Sequence, residues 1–145
     1  MKILNKDKVK YVIIGAYAVS YYTEPRYTKD LDILIEPSAE NAKKIYTALK
    51  EFGAPLAGIT EEEFSKEGLI YQIGVAPVRV DILVGIKGVE FESIWKQRIK
   101  TTFEGLKINI AGLQELIILK KKAKRDRDKR DLKELNYVFK KRKGK

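Results

Sequence analysis

Two short apolar segments carry carboxylates in their interiors, and they constrain the fold more than anything else in the chain. The first reads Asp30-Leu31-Asp32-Ile33-Leu34-Ile35 and the second Val78-Arg79-Val80-Asp81-Ile82-Leu83-Val84. Side chains alternate faces along a strand, so Asp30 and Asp32 share one face while Leu31, Ile33 and Ile35 share the other. Asp81 has the same apolar setting. Carboxylates gathered on strands repel one another and resist ionising together. Buried or half-buried, they need a partner. A divalent cation is one such partner, and hard oxygen donors in this number suit Mg²⁺, which binds through a few carboxylates plus substrate phosphates. The competing structural reading is a set of salt-bridged strand ends.

The types of residue present narrow the chemistry further. The chain of 145 residues contains no cysteine and no histidine. Disulfides, Cys/His zinc sites, thiol nucleophiles and imidazole bases are therefore excluded. Catalysis has to use carboxylates, lysine, arginine, tyrosine, hydroxyls or a metal. The length matches one ordinary domain, and a single domain over residues 1–145 is expected. No apolar run reaches the roughly 20 residues a membrane span needs. The opening Met1-Lys2-Ile3-Leu4-Asn5-Lys6 lacks the apolar core of a secretory leader. A cytoplasmic location without membrane contact is the expectation.

The net charge of +10 is concentrated at one end. Residues 120–145 hold 14 of the 30 Lys/Arg and 4 of the 20 Asp/Glu, so they carry all of it. The first 119 residues are balanced, with 16 of each sign. A neutral body with a basic tail points to a polyanionic partner. A solvated helix face is the plainer alternative.

Hydrophobic periodicity orders the elements. Residues 11–14 read as a buried strand, and Gly15 gives a tight turn into a helix over 16–22 that Pro25 ends. A strand over 30–36 follows. Ser38 caps a helix running to residue 52, with Ala42, Ile45 and Leu49 as its buried stripe and Gly53 as its terminator. Residues 54–68 read as a loop with a short acidic helix at 60–65, where Glu61-Glu62-Glu63 form a solvated start. Strands at 69–75 and 78–84 form a hairpin around Ala76-Pro77. A helix over 89–98 carries Trp95 as a core residue. Residues 101–110 read as one weak strand or extended segment. Two amphipathic helices, 112–124 and 128–141, close the chain. The class is α+β: a mixed sheet with helices packed on it, and basic C-terminal helices over 112–145.

Taken together, these residues resemble the nucleotidyltransferases of the DNA polymerase beta-like superfamily. The likeness is closest to the minimal enzymes that include abortive-infection-type toxins and some antibiotic adenylyltransferases. Their first motif is a glycine turn after a strand, a helix, then Arg-x-Thr/Ser-x-Asp-φ-Asp on the next strand. Here it reads Gly15-Ala16, Arg26, Thr28, Asp30-Leu31-Asp32, with Asp81 as the third acidic residue. Lys120, Arg125, Asp128 and Asp131 match the family's later helical pattern.

The resemblance implies transfer of a nucleoside monophosphate from an NTP, such as ATP, to an acceptor hydroxyl. Asp30, Asp32 and Asp81 are then the catalytic and metal-binding residues for Mg²⁺. Gly15, Ala16, Arg26, Thr28, Lys120 and Asp128 are the candidate nucleotide-binding residues. Ala16 departs from the family, which usually has a serine or glycine there. Its backbone N–H, with those of the helix start, can still hold phosphate oxygens.

Two of the candidates carry a physical reading of their own. Lys120 falls three, four and seven residues after Ile117, Leu116 and Leu113, on the apolar stripe of its helix. A lysine there wants an anion, either a phosphate or an aspartate, unless its head snorkels out. Arg26 can grip a phosphate, orient a carboxylate or fix its loop through a salt bridge. The acceptor stays open among RNA, with tRNA ends included, a protein side chain and a small alcohol. A homodimer or a partner protein completing the site is compatible with so short a chain. The second reading is an inactive module of the same fold, serving as a toxin–antitoxin component or nucleic-acid adaptor.

Overall fold

The structure is a computed structural model that describes residues 1–24, 30–74, 79–123 and 126–143, with the side chains of 123, 126–128 and 143 excepted. Among the described residues, six strands form one mixed sheet in the order β3-β4-β2-β1-β6-β5. The strands are β1 (Tyr11–Ile14), β2 (Asp30–Ile35), β3 (Ile70–Ile73), β4 (Arg79–Val84), β5 (Ile99–Phe103) and β6 (Leu106–Ile110). The helices are α1 (Lys2–Lys6), α2 (Gly15–Tyr22), α3 (Ala39–Phe52), α4 (Phe91–Lys96), α5 (Leu113–Ala123) and α6 (Asp126–Lys143), with a 3-10 turn at Glu61–Ser65. No described helix is long and apolar enough to cross a membrane. The α+β class and the mixed sheet agree with the sequence reading.

The centre of the sheet is built from uninterrupted apolar runs. All four residues of β1 are buried, as are Ile33, Leu34 and Ile35 at the end of β2. β1 pairs antiparallel with β2, and β2 pairs parallel with β4. Burial on both faces explains why these strands read as continuous hydrophobic stretches.

The boundaries of α3 follow local chemistry. The Ser38 hydroxyl accepts the Asn41 N–H at 3.2 Å, and Gly53 takes φ +88° at the end. Ala42, Ile45, Ala48 and Leu49 face the core. Asn41, also buried, accepts from the Lys10 N–H at 2.8 Å and donates to the Lys10 and Glu36 carbonyls, so α3 is pinned to the entry of β1.

Three local readings differ from the sequence expectation. Helix α1 was not anticipated, because five residues are too few to show a helical period; it is held by buried Leu4 and by Asn5, whose side chain donates to the Lys107 carbonyl at 2.7 Å. Residues 101–110 belong to a hairpin, β5 and β6, with Glu104 and Gly105 both at positive φ in the turn. Glutamate is an uncommon first residue for such a turn, so the usual Asn-Gly or Asp-Gly signal is missing. Trp95 is half-buried, with the Arg98 guanidinium 3.6 Å from its ring centre. The turn around Ala76-Pro77 lies outside the described residues.

Helix α2 is tied to the C-terminal helices through Tyr22. Its hydroxyl donates to the Ala111 carbonyl at 2.7 Å, just before α5, and burial pushes its pKa up to about 12. A tyrosine with a raised folded-state pKa supports the fold fully below its ordinary value near 10 and loses that support as pH rises through about 12. Tyr22→Phe should therefore lower unfolding free energy by about 1 kcal/mol at neutral pH. It should also remove the part of the alkaline stability loss that falls between those two values. Urea denaturation at pH 7, 10 and 11 reads both effects.

Candidate active site

The sheet register gathers the acidic residues. In the parallel pairing of β2 with β4, Asp32 is opposite Asp81 and Asp30 is opposite Arg79. Asp32 is also paired with Ile14, the last residue of β1. Asp32 and Asp81 are thus neighbours in register at the end of β1, where the chain turns through Gly15 into α2.

Gly15 is the tightest contact at this point. It has φ +73°, and a Cβ built on it would lie 2.2 Å from Asp32 Oδ2 and 3.0 Å from its Cγ. The backbone therefore passes directly against the Asp32 carboxylate, and the position excludes any side chain. Gly15→Ala should displace Asp32 as well as strain the turn. A drop in melting temperature is expected, and a variant with wild-type stability would contradict the packing. The Ile14 N-cap supplies no side-chain acceptor. The first N–H groups of α2, from Gly15 and Ala16 onward, are in the position that favours anions at a helix start.

Arg79 is the site residue that sequence analysis quoted without using. Its Nη2 is 3.4 Å from Asp30 Oδ2, and its Nε is 3.2 Å from Asp81 Oδ1. The second approach is a charge contact without hydrogen-bond angles, so Nε and Oδ1 are both buried with no hydrogen-bond partner. One guanidinium thus offsets the repulsion between two strands' carboxylates. The signal was present: Arg79 stands two residues before Asp81, hence on the same face.

Among the described residues no three carboxylates form a ready cage. Asp81 Oδ1 is nevertheless a buried oxygen lacking a hydrogen bond, and Asp32 stands opposite it in the register. One or two carboxylates plus substrate oxygens is the usual protein contribution to a Mg²⁺ site. The donor set fits such an ion.

The other candidates fall elsewhere. Lys120 on α5 is buried, and its Nζ lies 3.1 Å from Asp131 Oδ2 on α6. Of the anions the sequence left open, an aspartate is the one beside it. Arg26 and Thr28 lie outside the described residues, as does the side chain of Asp128. Tyr17 and Tyr21 project from α2 and are exposed, whereas Tyr22 is buried.

Comparisons with known proteins identify a family and a shared fold. Residues 1–145 match the family described as "Nucleotidyl transferase of unknown function (DUF2204)". No curated protein sequence matches. Among solved structures, the chain is similar to a Thermotoga maritima protein described as a nucleotidyltransferase. The two are 19% identical, with 91% of this chain and 84% of that one covered and a TM-score of 0.59. It is also similar to the lincosamide antibiotic adenylyltransferase LnuA with lincomycin bound. There the identity is 14%, the coverage is 94% and 92%, and the TM-score is 0.57. At these identities the likeness establishes a shared fold.

Proposed function

The chain belongs to the DUF2204 family of nucleotidyl transferases, and on that premise we propose that it moves a nucleoside monophosphate from an NTP to an acceptor hydroxyl, with RNA as acceptor, in a Mg²⁺-dependent reaction. The observation that carries this reading is the register setting Asp32 opposite Asp81, with the Gly15 backbone against the Asp32 carboxylate. Asp30, Asp32 and Asp81 would hold the metal. When bound, Mg²⁺ neutralises phosphate charge and lowers the pKa of a coordinated hydroxyl.

The remaining roles belong to the chain. The N–H groups of Gly15 and Ala16 hold triphosphate oxygens at the start of α2. Asp81, the more enclosed carboxylate of the Arg79 pair, receives the acceptor proton or orients the hydroxyl that loses it. The acceptor oxygen bonds to the α-phosphorus, the bond to the bridging oxygen breaks, and pyrophosphate leaves with its electron pair. Arg79 spreads positive charge over Asp30 and Asp81 and holds the two strands' carboxylates in register before substrate arrives. Lys120 contributes through Asp131, by fixing α5 and α6 against each other beside α2. The basic segment 120–145 favours RNA, because clustered Lys/Arg gain affinity from phosphate chains.

Incubation with each labelled NTP, Mg²⁺ and total tRNA tests the proposal, with candidate proteins and small alcohols as parallel acceptors. Label should pass to RNA and not in EDTA. Transfer to protein or to a small alcohol would replace the acceptor. Absence of both transfer and metal-dependent NTP binding would overturn the reading. Asp81→Asn should retain most of the NTP affinity and lose about 10²- to 10³-fold in single-turnover transfer. Equal losses in binding and transfer would make Asp81 a ligand only.

A further inference from the structure

We propose a second binding site, for a single-stranded RNA segment, in an open groove at the end of the sheet remote from the aspartates. It rests on the RNA-acceptor reading above and extends it. The groove has a volume of about 670 Å³ and is lined by Lys8, Lys10, Lys44, Lys100, Lys107 and Trp95 among others. Among the described residues no carboxylate lines it. The chain up to residue 119 is charge-balanced, so five lysines in a lining without a carboxylate do not simply reflect a basic protein. Lys10 pairs with Glu36 at 3.5 Å and Lys44 with Glu40 at 3.4 Å. Such half-exposed pairs are weak and exchange readily for phosphate. Lys8, Lys100 and Lys107 are exposed, and no described carboxylate pairs with them.

Side-chain hydrogen bonds tie the frame of the groove together. Asn5 donates to the Lys107 carbonyl at 2.7 Å and accepts the Tyr11 hydroxyl at 2.9 Å, while Asn109 donates to the Tyr11 carbonyl at 3.1 Å. The β5–β6 register sets Lys100 opposite Asn109 and Thr102 opposite Lys107, so these four side chains share a face.

Lys8 adds an independent observation. It ends α1 at φ +57°, with its N–H on the Asn5 carbonyl and the Val9 N–H on the Leu4 carbonyl. That is the helix-ending pattern whose left-handed residue is ordinarily glycine. A lysine stands where the backbone favours glycine, and it lines the lysine groove. The cations are spread over a loop, a helix and a hairpin, which suits an extended chain of phosphates better than one phosphate group. Tyr11 in the groove is three residues, roughly 10 Å, from Ile14 at the level of Asp32.

Trp95 is the single tryptophan of the chain and reports this groove directly. A ten-residue oligouridylate is titrated into the full-length protein in EDTA, so that metal-dependent chemistry plays no part. Trp95 emission should change with saturation and weaken steeply with salt. The variant combining Lys8→Gly, Lys100→Ala and Lys107→Ala should lose on the order of tenfold or more in affinity, and its salt slope should flatten by about 2. Lys8→Gly alone should raise the melting temperature while lowering RNA affinity, a combination that a purely structural lysine would not give. The proposal is overturned if Trp95 stays silent while filter retention shows RNA binding, since RNA is then on the tail. It is equally overturned if the triple variant binds as wild type, or if UTP or polyglutamate matches the oligonucleotide. Groove binding without label transfer would fail the catalytic reading alone, and transfer to RNA without groove binding would fail this one alone.

Discussion

Asp32→Asn protein is expected to fold, to lose Mg²⁺-dependent NTP binding, and to transfer nucleotide at least about 10³-fold more slowly than wild type. Asparagine keeps the shape that packs against Gly15, so the turn survives the change. Only the charge is lost. Asp32 stands opposite Asp81 in the parallel register, and removing one of two facing carboxylates relieves repulsion in the metal-free protein. Melting temperature in EDTA should therefore hold or rise as activity falls. Asp30→Asn removes a contact with Arg79 in which both side chains are more than a third exposed. Its metal-free stability should move by less than about 1 kcal/mol in either direction. Thermal melts in EDTA, beside single-turnover assays in Mg²⁺, separate the two variants. A destabilised Asp32→Asn protein would contradict the repulsion argument.

Lys120→Ala should destabilise the fold strongly, by about 3–5 kcal/mol. The Lys120–Asp131 pair is 3.1 Å long, with side chains 9% and 6% exposed. Removing the lysine takes this cation away from a buried carboxylate between α5 and α6, and Asp131→Ala takes this anion away from the buried ammonium. Replacing both, as Lys120→Met with Asp131→Leu, removes both desolvated charges and should recover most of the stability. A double-mutant cycle by urea denaturation gives the coupling. Single variants within about 0.5 kcal/mol of wild type would mean that water reaches the pair. A double variant with restored stability and unimpaired NTP binding would show that neither residue touches nucleotide.

Much of this was legible in the residues. Asp30, Asp32 and Asp81 stood out because a carboxylate inside an apolar strand has no cheap structural explanation. Ser38 and Gly53 bounded α3 because the cap and the left-handed terminator have specific chemical preferences. Lys120 was legible as a buried cation needing an anion, yet periodicity within one helix cannot say which neighbour supplies it. Asp131 lies across a helix hairpin, and only packing brings the two together. The spacing of Arg79 put it on the face of Asp81, but its contact with Asp30 arises only from the register between two strands. The β5–β6 hairpin lacked its signal because its turn is Glu104-Gly105 and both strands are largely exposed. The lysine groove could not be read in advance, because its members are separated by up to 99 residues and meet only through the sheet.

The most direct measurement is calorimetric titration of ATP, GTP, CTP and UTP into wild-type and Asp32→Asn protein, each in Mg²⁺ and in EDTA. The account predicts that at least one NTP binds wild type in Mg²⁺, that EDTA abolishes the binding, and that Asp32→Asn abolishes it in Mg²⁺ although the protein remains folded. Equal binding with and without Mg²⁺, or unchanged binding by Asp32→Asn, would contradict it.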